Sequence, residues 1–205
     1  MAASSGRAGV VLAGGGSTRF GEREKALAEL DGKPLLARAV DGLAPAVDGV
    51  VVNCRDDQVS AFRSALNSSS TDIAFACDPT PDMGPAAGLV AALAAVAVPR
   101  VAVVACDMPF VDARFVDVLF GSMGDAAGVV PRVGGRRQPT CAVFRTEPAR
   151  LAARDAVTDD SGSLRDVLGR IDVVELPESR VLAETSRETF TDVNTPAALE
   201  DAKRS

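Results

Sequence analysis

Residues 14–25 read GGGSTRFGEREK and follow directly on the apolar run AGVVLA at 8–13. Glycines at 14, 15 and 16 let the chain bend tightly and turn backbone N–H groups toward an anion, and Arg19 and Lys25 add positive charge to the same loop. A glycine cluster alone makes a turn; joined to two cations it points to a polyphosphate. The common phosphate signatures do not fit. Lys25 lacks the glycine spacing and the following Ser or Thr of a P-loop, and Arg19 occupies the last glycine position of a dinucleotide fingerprint. A second loop, Cys106-Asp107-Met108-Pro109, comes straight after the apolar run VAVVA. A carboxylate at a strand tip is fixed in place yet reachable, so Asp107 suits a hard divalent cation; an Asp before a Pro also caps turns. The third loop, DPTPDMGPAAG at 78–88, is stiffened by proline and brings backbone close to a ligand. In the fourth, Asp192-Val193-Asn194-Thr195-Pro196, Asp192 is a candidate second metal ligand, while Asn194 and Thr195 are of the types that cap helices.

What is missing narrows the chemistry further. The 205 residues include no His, Trp or Tyr, which excludes Ser-His-Asp and Cys-His hydrolases and every His-ligated metal. Catalysis has to rest on carboxylates, Lys, Arg and backbone amides, with or without a metal ion. Cys54, Cys77, Cys106 and Cys141 are too widely spaced for a zinc knuckle and read as buried free thiols. A net charge of −6 disfavours nucleic acid as a partner. No apolar stretch reaches the ~18 residues of a transmembrane helix, and the first residues lack the pattern of a secretory signal, so a cytoplasmic location with no membrane partner is expected. Of the 22 cations only Lys25, Lys33 and Lys203 are lysines, and two of these fall in or beside the first loop.

These loops need a scaffold, and the pattern supplies one. Short β-branched runs at 8–13, 50–54, 73–76 and 101–105 alternate with helical periods at 34–45, 58–66, 85–98 and 113–120, which predicts βαβ units and a mostly parallel sheet. The 85–98 helix is apolar nearly all round and is expected to be sandwiched. Strands at 128–132 and 140–145 flank the basic turn 134–138, so an antiparallel portion is expected in the C-terminal half. Helices at 149–156 and 163–171, strands near 173–176 and 189–192, and a closing helix from Pro196 capped by Thr195 complete the expectation of one α/β domain over 1–205, with 1–7 a frayed tail.

Taken together the loops resemble those of the molybdenum cofactor guanylyltransferases, MobA-like nucleotidyltransferases that join GMP to molybdopterin. The resemblance rests on LAGGGSTRFG at 12–21 with Lys25-Ala26-Leu27, Gly32-Lys33-Pro34-Leu35, Val52-Asn53, Gly84-Pro85-Ala86-Ala87-Gly88, Cys106-Asp107-Met108-Pro109 and Asp192-Val193-Asn194-Thr195-Pro196. It implies a single-domain, Rossmann-like three-layer fold and Mg2+-dependent attack of the molybdopterin phosphate on the α-phosphorus of GTP. By position it implies that Leu12, Ala13, Gly14 and Gly15 line the guanine and phosphate site and that Arg19 and Lys25 neutralise the triphosphate. Asn53 and Asp78 would contact the nucleoside, Asp107 would hold Mg2+, and Arg136, Arg137 and Asn194 would meet the pterin. Transient contact with cofactor-insertion proteins or molybdoenzymes follows as well. Asp192 departs from the family's usual Asn, and Phe20 from its usual Met. Two alternatives stay open: a related transferase using CTP or another nucleotide on molybdopterin, a sugar phosphate or phospholactate, and a non-catalytic nucleotide-binding protein. The cytidylyl relatives tend to carry Ala at the place of Gly14, where glycine leaves room for a purine.

Overall fold

Each apolar run of the first half becomes a strand, and each helical period the crossover to the next. In the computed structural model, which describes residues 5–15, 24–78 and 83–204, β1 (Arg7–Leu12) leads to a small hairpin of β2 (Glu29–Leu30) and β3 (Lys33–Pro34). Then follow α1 (Leu35–Leu43), β4 (Val50–Cys54), α2 (Val59–Ala65), β5 (Ile73–Cys77), α3 (Pro85–Ala94), β6 (Arg100–Ala105) and α4 (Ala113–Gly121). The second half contributes β7 (Gly128–Val133), β8 (Arg136–Arg137), β9 (Cys141–Arg145), α5 (Thr146–Thr158), α6 (Leu164–Gly169), β10 (Val173–Leu176), α7 (Glu178–Glu184) and α8 (Pro196–Ala202).

The main sheet runs β10-β7-β9-β6-β1-β4-β5, with β8 paired to β7. Only β9 is reversed on this path: it lies antiparallel between β6 and β7, and the other adjacent pairs are parallel. Because side chains alternate across a strand, each strand feeds two cores. Val11, Val52, Val104 and Val143 face α1, α2 and α4, whereas Val10, Val51, Val103 and Phe144 face α3, α5 and α6. The result is helix, sheet, helix. A third cluster of Leu30, Leu35, Val193 and Ala202 fastens α8 beside the small hairpin. Among the described residues no helix is long and apolar enough to cross a membrane.

Several expectations need correction. The strand near 189–192 is a 3₁₀ turn at Arg187–Phe190, because Thr189 is buried with its hydroxyl 2.7 Å from that of Thr185 and Phe190 meets the Phe115 ring edge-on at 5.7 Å. The helix expected over 85–98 stops at Ala94, where the Arg150 guanidinium donates to the Leu93 carbonyl of its last turn and to the Val96 carbonyl just beyond it. Residues 5–7 are not frayed: the backbone N–H groups of Ser5 and Arg7 donate to the Asp48 carboxylate, and Arg7 opens β1. All four cysteines are free, but Cys77 is exposed, since it ends the edge strand β5.

Candidate active site

The chain leaves β1 toward β4 and β5 on one side and returns to β6 on the other. In such a sheet the loops beyond the strand tips part at the reversal and leave a crevice. Backbone hydrogen bonds pin its walls. Ala13 N–H donates to the Asn53 carbonyl at 2.9 Å, Cys106 N–H to that of Leu12 at 3.0 Å, and Ala105 N–H to that of Thr140 at 3.1 Å. Of the residues expected from the sequence to meet the nucleotide, Leu12, Ala13, Gly14, Gly15, Lys25, Asn53, Asp78 and Asp107 border this one cleft.

On one side sits a hydrogen-bonded pair, the Asn53 amide donating to Asp78 Oδ1 at 2.6 Å and to the Ala76 carbonyl at 3.2 Å. Asn53 is buried, and two glycines make room for it. A Cβ on Gly88 would land on its Oδ1, and a Cβ on Gly14 would land on the Asp78 carboxylate. The space left by Gly14 thus goes to the Asp78 side chain, a different use from the one expected, room beside a base. Desolvation raises the Asp78 pKa; the Asn53 amide and then the Arg55 charge offset part of that rise.

On the other side Lys25 Nζ donates to Asp107 Oδ2 at 2.7 Å and to Asn194 Oδ1 at 3.0 Å, joining loops far apart in sequence. Burial opposes its charge, yet the Asp107 carboxylate, by charge and by hydrogen bond, and the Asp192 charge lift its pKa above the ordinary value, so the ammonium stays charged. Desolvation and then the Asp107 charge raise the Asp192 pKa, with Lys25 offsetting part. Val193 N–H donates to the Asp107 carbonyl at 2.8 Å, which holds this fourth loop in place. Two mutually repelling carboxylates next to one cation are a hard-oxygen donor set short of positive charge. They fit Mg2+, which takes one or two protein carboxylates and completes its shell with phosphate and water. Among the described residues no three Asp, Glu, Cys or His side chains gather as metal ligands, so the protein would offer the ion this pair of carboxylates.

Arg19 lies outside the described residues. Arg136 and Arg137 do not line the cleft; they border a separate cavity with Arg165 and Leu168. Arg137 is taken by Glu175 at 2.8 Å, while among the described residues neither Arg136 nor Arg165 pairs with a carboxylate. Two residues escaped sequence reasoning. Thr140 reaches the cleft because β9 is reversed and presents its start, not its end, to the site. Arg165 follows the Ser163 cap of α6 and carried no signal beyond its charge. A close backbone contact braces the cleft at the start of α3. Gly84, at φ +81°, caps the start of α3, and a Cβ there would strike the Gly162 carbonyl that also accepts from Ala86 N–H.

Residues 9–174 match the model of the MobA-like NTP transferase domain. The chain belongs to the MobA-like NTP transferase family. This transferase is 38% identical to a probable molybdenum cofactor guanylyltransferase of Haloferax mediterranei, over 93% of this chain and 90% of that one. It is 36% identical to a protein of the same description from Natronomonas pharaonis, over 96% of each. In fold it is similar to the molybdopterin-guanine dinucleotide biosynthesis protein A of Archaeoglobus fulgidus, with a TM-score of 0.77 at 24% identity over 96% and 97% of the two chains.

Proposed function

We propose that this transferase moves GMP from GTP to the terminal phosphate of molybdopterin in the presence of Mg2+, forming the guanine dinucleotide and releasing pyrophosphate. One observation carries the reading: the Lys25 ammonium held between Asp107 and Asn194 in the cleft that the Asn53–Asp78 pair also borders. The descriptions of the two archaeal relatives support the choice of substrates.

In this reading an oxygen of the acceptor phosphate attacks the α-phosphorus. The bond from that phosphorus to the bridging oxygen breaks, and its electron pair leaves with pyrophosphate. A phosphate monoester is largely ionised at neutral pH, so no protein base is required, which suits a chain without histidine. The protein's part is placement and charge. Lys25, with Arg19, offsets the triphosphate charge. The Asp78 carboxylate, oriented by Asn53, accepts from N–H groups of guanine or from the ribose. Leu12, Ala13, Gly14 and Gly15 bring backbone to the nucleotide. Asp107 and Asp192 would hold Mg2+, which supplies positive charge at the phosphates when bound. Asn194 reaches toward the pterin, and Arg136 and Arg137, joined by Arg165, offer the acceptor phosphate a cationic surface. The whole chain acts as one nucleotidyltransferase domain in the cytoplasm, with transient handover to cofactor-insertion proteins or molybdoenzymes.

The test is pyrophosphate release with molybdopterin and GTP, CTP, ATP or UTP in Mg2+. Release with GTP alone, dependent on the pterin, is expected. A preference for CTP would overturn the base assignment, and no release with any nucleotide would overturn the reaction.

A further inference from the structure

Glu24 precedes Lys25 and faces a different part of the site. Its Oε1 accepts from the Arg55 guanidinium at 2.6 Å and its Oε2 from the Gln58 amide at 2.8 Å. Both donors belong to one short turn that begins just past Cys54, the end of β4, and so just past Asn53. That turn is braced from within: Arg55 N–H donates to Gln58 Oε1 at 2.8 Å, Gln58 N–H to the Arg55 carbonyl at 3.1 Å, and Arg55 Nε to Asp57 at 3.1 Å. Gln58 is only 2% exposed, and Glu24 is the partner of its buried amide nitrogen. A buried donor left without a partner is costly, so the turn is built around the Glu24 carboxylate.

We infer that Glu24, with Arg55 and Gln58, is the positioning clamp that sets where the Lys25 ammonium meets the nucleotide's phosphates, an inference that rests on the function proposed above. Adjacent residues then do complementary work. Glu24 anchors the chain to the β4 side, which carries Asn53 and accepts the Asp78 backbone N–H at the Cys54 carbonyl, while Lys25 extends to Asp107 and Asn194 on the β6 side. The clamp therefore fixes the spacing between the nucleoside end of the cleft and its cation. It also occupies Arg55, whose charge acts on Asp78, with carboxylates of its own.

The experiment measures the dissociation constants of GTP (with Mg2+) and of guanosine for the intact protein and its variants. Glu24→Gln keeps the shape but turns an N–H donor toward Arg55 or Gln58, so GTP is expected to bind about tenfold more weakly. Guanosine, which has no phosphate for Lys25, is expected to bind as before. Because Glu24 acts through Lys25, Glu24→Gln added to Lys25→Ala is expected to cause no further loss. The exchange Glu24→Gln with Gln58→Glu restores every hydrogen bond with one donor direction reversed, and is expected to recover GTP affinity. Equal weakening toward guanosine, additive loss on top of Lys25→Ala, or a folded exchange variant that still binds GTP about tenfold more weakly would overturn the clamp. Wild-type protein that binds no nucleoside triphosphate would instead overturn the parent reading and the clamp with it.

Discussion

Lys25 and Arg137 each pair with a carboxylate at ordinary distance, 2.7 Å to Asp107 and 2.8 Å to Glu175, yet the pairs sit in opposite settings. Lys25 and Asp107 keep only 21% and 11% of their side-chain surface, against 42% and 31% for Arg137 and Glu175. Beside the cleft, Lys25 and Asp107 have lost most of their contact with water, and burial, Asp107 and Asp192 together set the titration of Lys25. At the β7–β8 hairpin, Arg132 and Arg137 lower the pKa of Glu175 by hydrogen bonding, but water screens the group and it acts on little beyond them. The contrast teaches that one charge pattern makes a fixed centre where backbone encloses it and an adjustable anion surface where it does not.

The widest gap between the regions is expected on removing Asp107. Asp107→Ala should lower kcat by about a thousandfold or more while circular dichroism keeps its native form, since a site carboxylate is lost without a strand being touched. Substantial turnover in Mg2+ by this variant would break the comparison at its buried end. A smaller effect is expected from the exposed end. Arg136→Ala or Arg165→Ala should raise KM for the pterin substrate about tenfold, more steeply at low salt than at high, and leave KM for GTP unchanged. An equal rise in both KM values would show that the two cavities are not separate sites.

The smallest effect sharpens the comparison inside the cleft. Asp78 has a folded pKa raised above its ordinary 3.8, so its ionised form is disfavoured by folding. Such a group costs stability above the raised value, and the cost is withdrawn as pH falls toward 3.8. Asp78→Asn should therefore raise Tm by about 1–2 °C at neutral pH, with the gain shrinking on acidification, while GTP binding weakens. A lower Tm at neutral pH would mean that the carboxylate's bond to Asn53 outweighs its desolvation.

Much of the site was legible because its residues stand at the tips of short apolar strands. Parallel strands buried on both faces read as uninterrupted apolar runs, so β4 at Val50–Cys54 falls where the sequence places it. Loops at such ends share one edge, which places the loops beginning at Leu12, Asp78 and Cys106 together; Asn53 was legible only through the family resemblance. The 3₁₀ turn at Arg187–Phe190 and the helix α7 were not legible, because a buried Thr189 hydroxyl and the Phe115 ring shape that segment from outside it.

The sequence by itself determined the alternation of strand and helix, the family motifs, and the residue types that chemistry at phosphate requires. Those properties are local, set by side-chain period, by glycine and proline, and by the presence or absence of an ionisable group. Tertiary structure decided the partners. It reversed β9 so that Thr140 meets the cleft, gave the space of Gly14 to Asp78, closed Glu24 on Arg55 and Gln58, and set Lys25 between Asp107 and Asn194. Those contacts span tens of residues in sequence. They exist only when burial brings the strand tips together and leaves each buried polar group one partner to find.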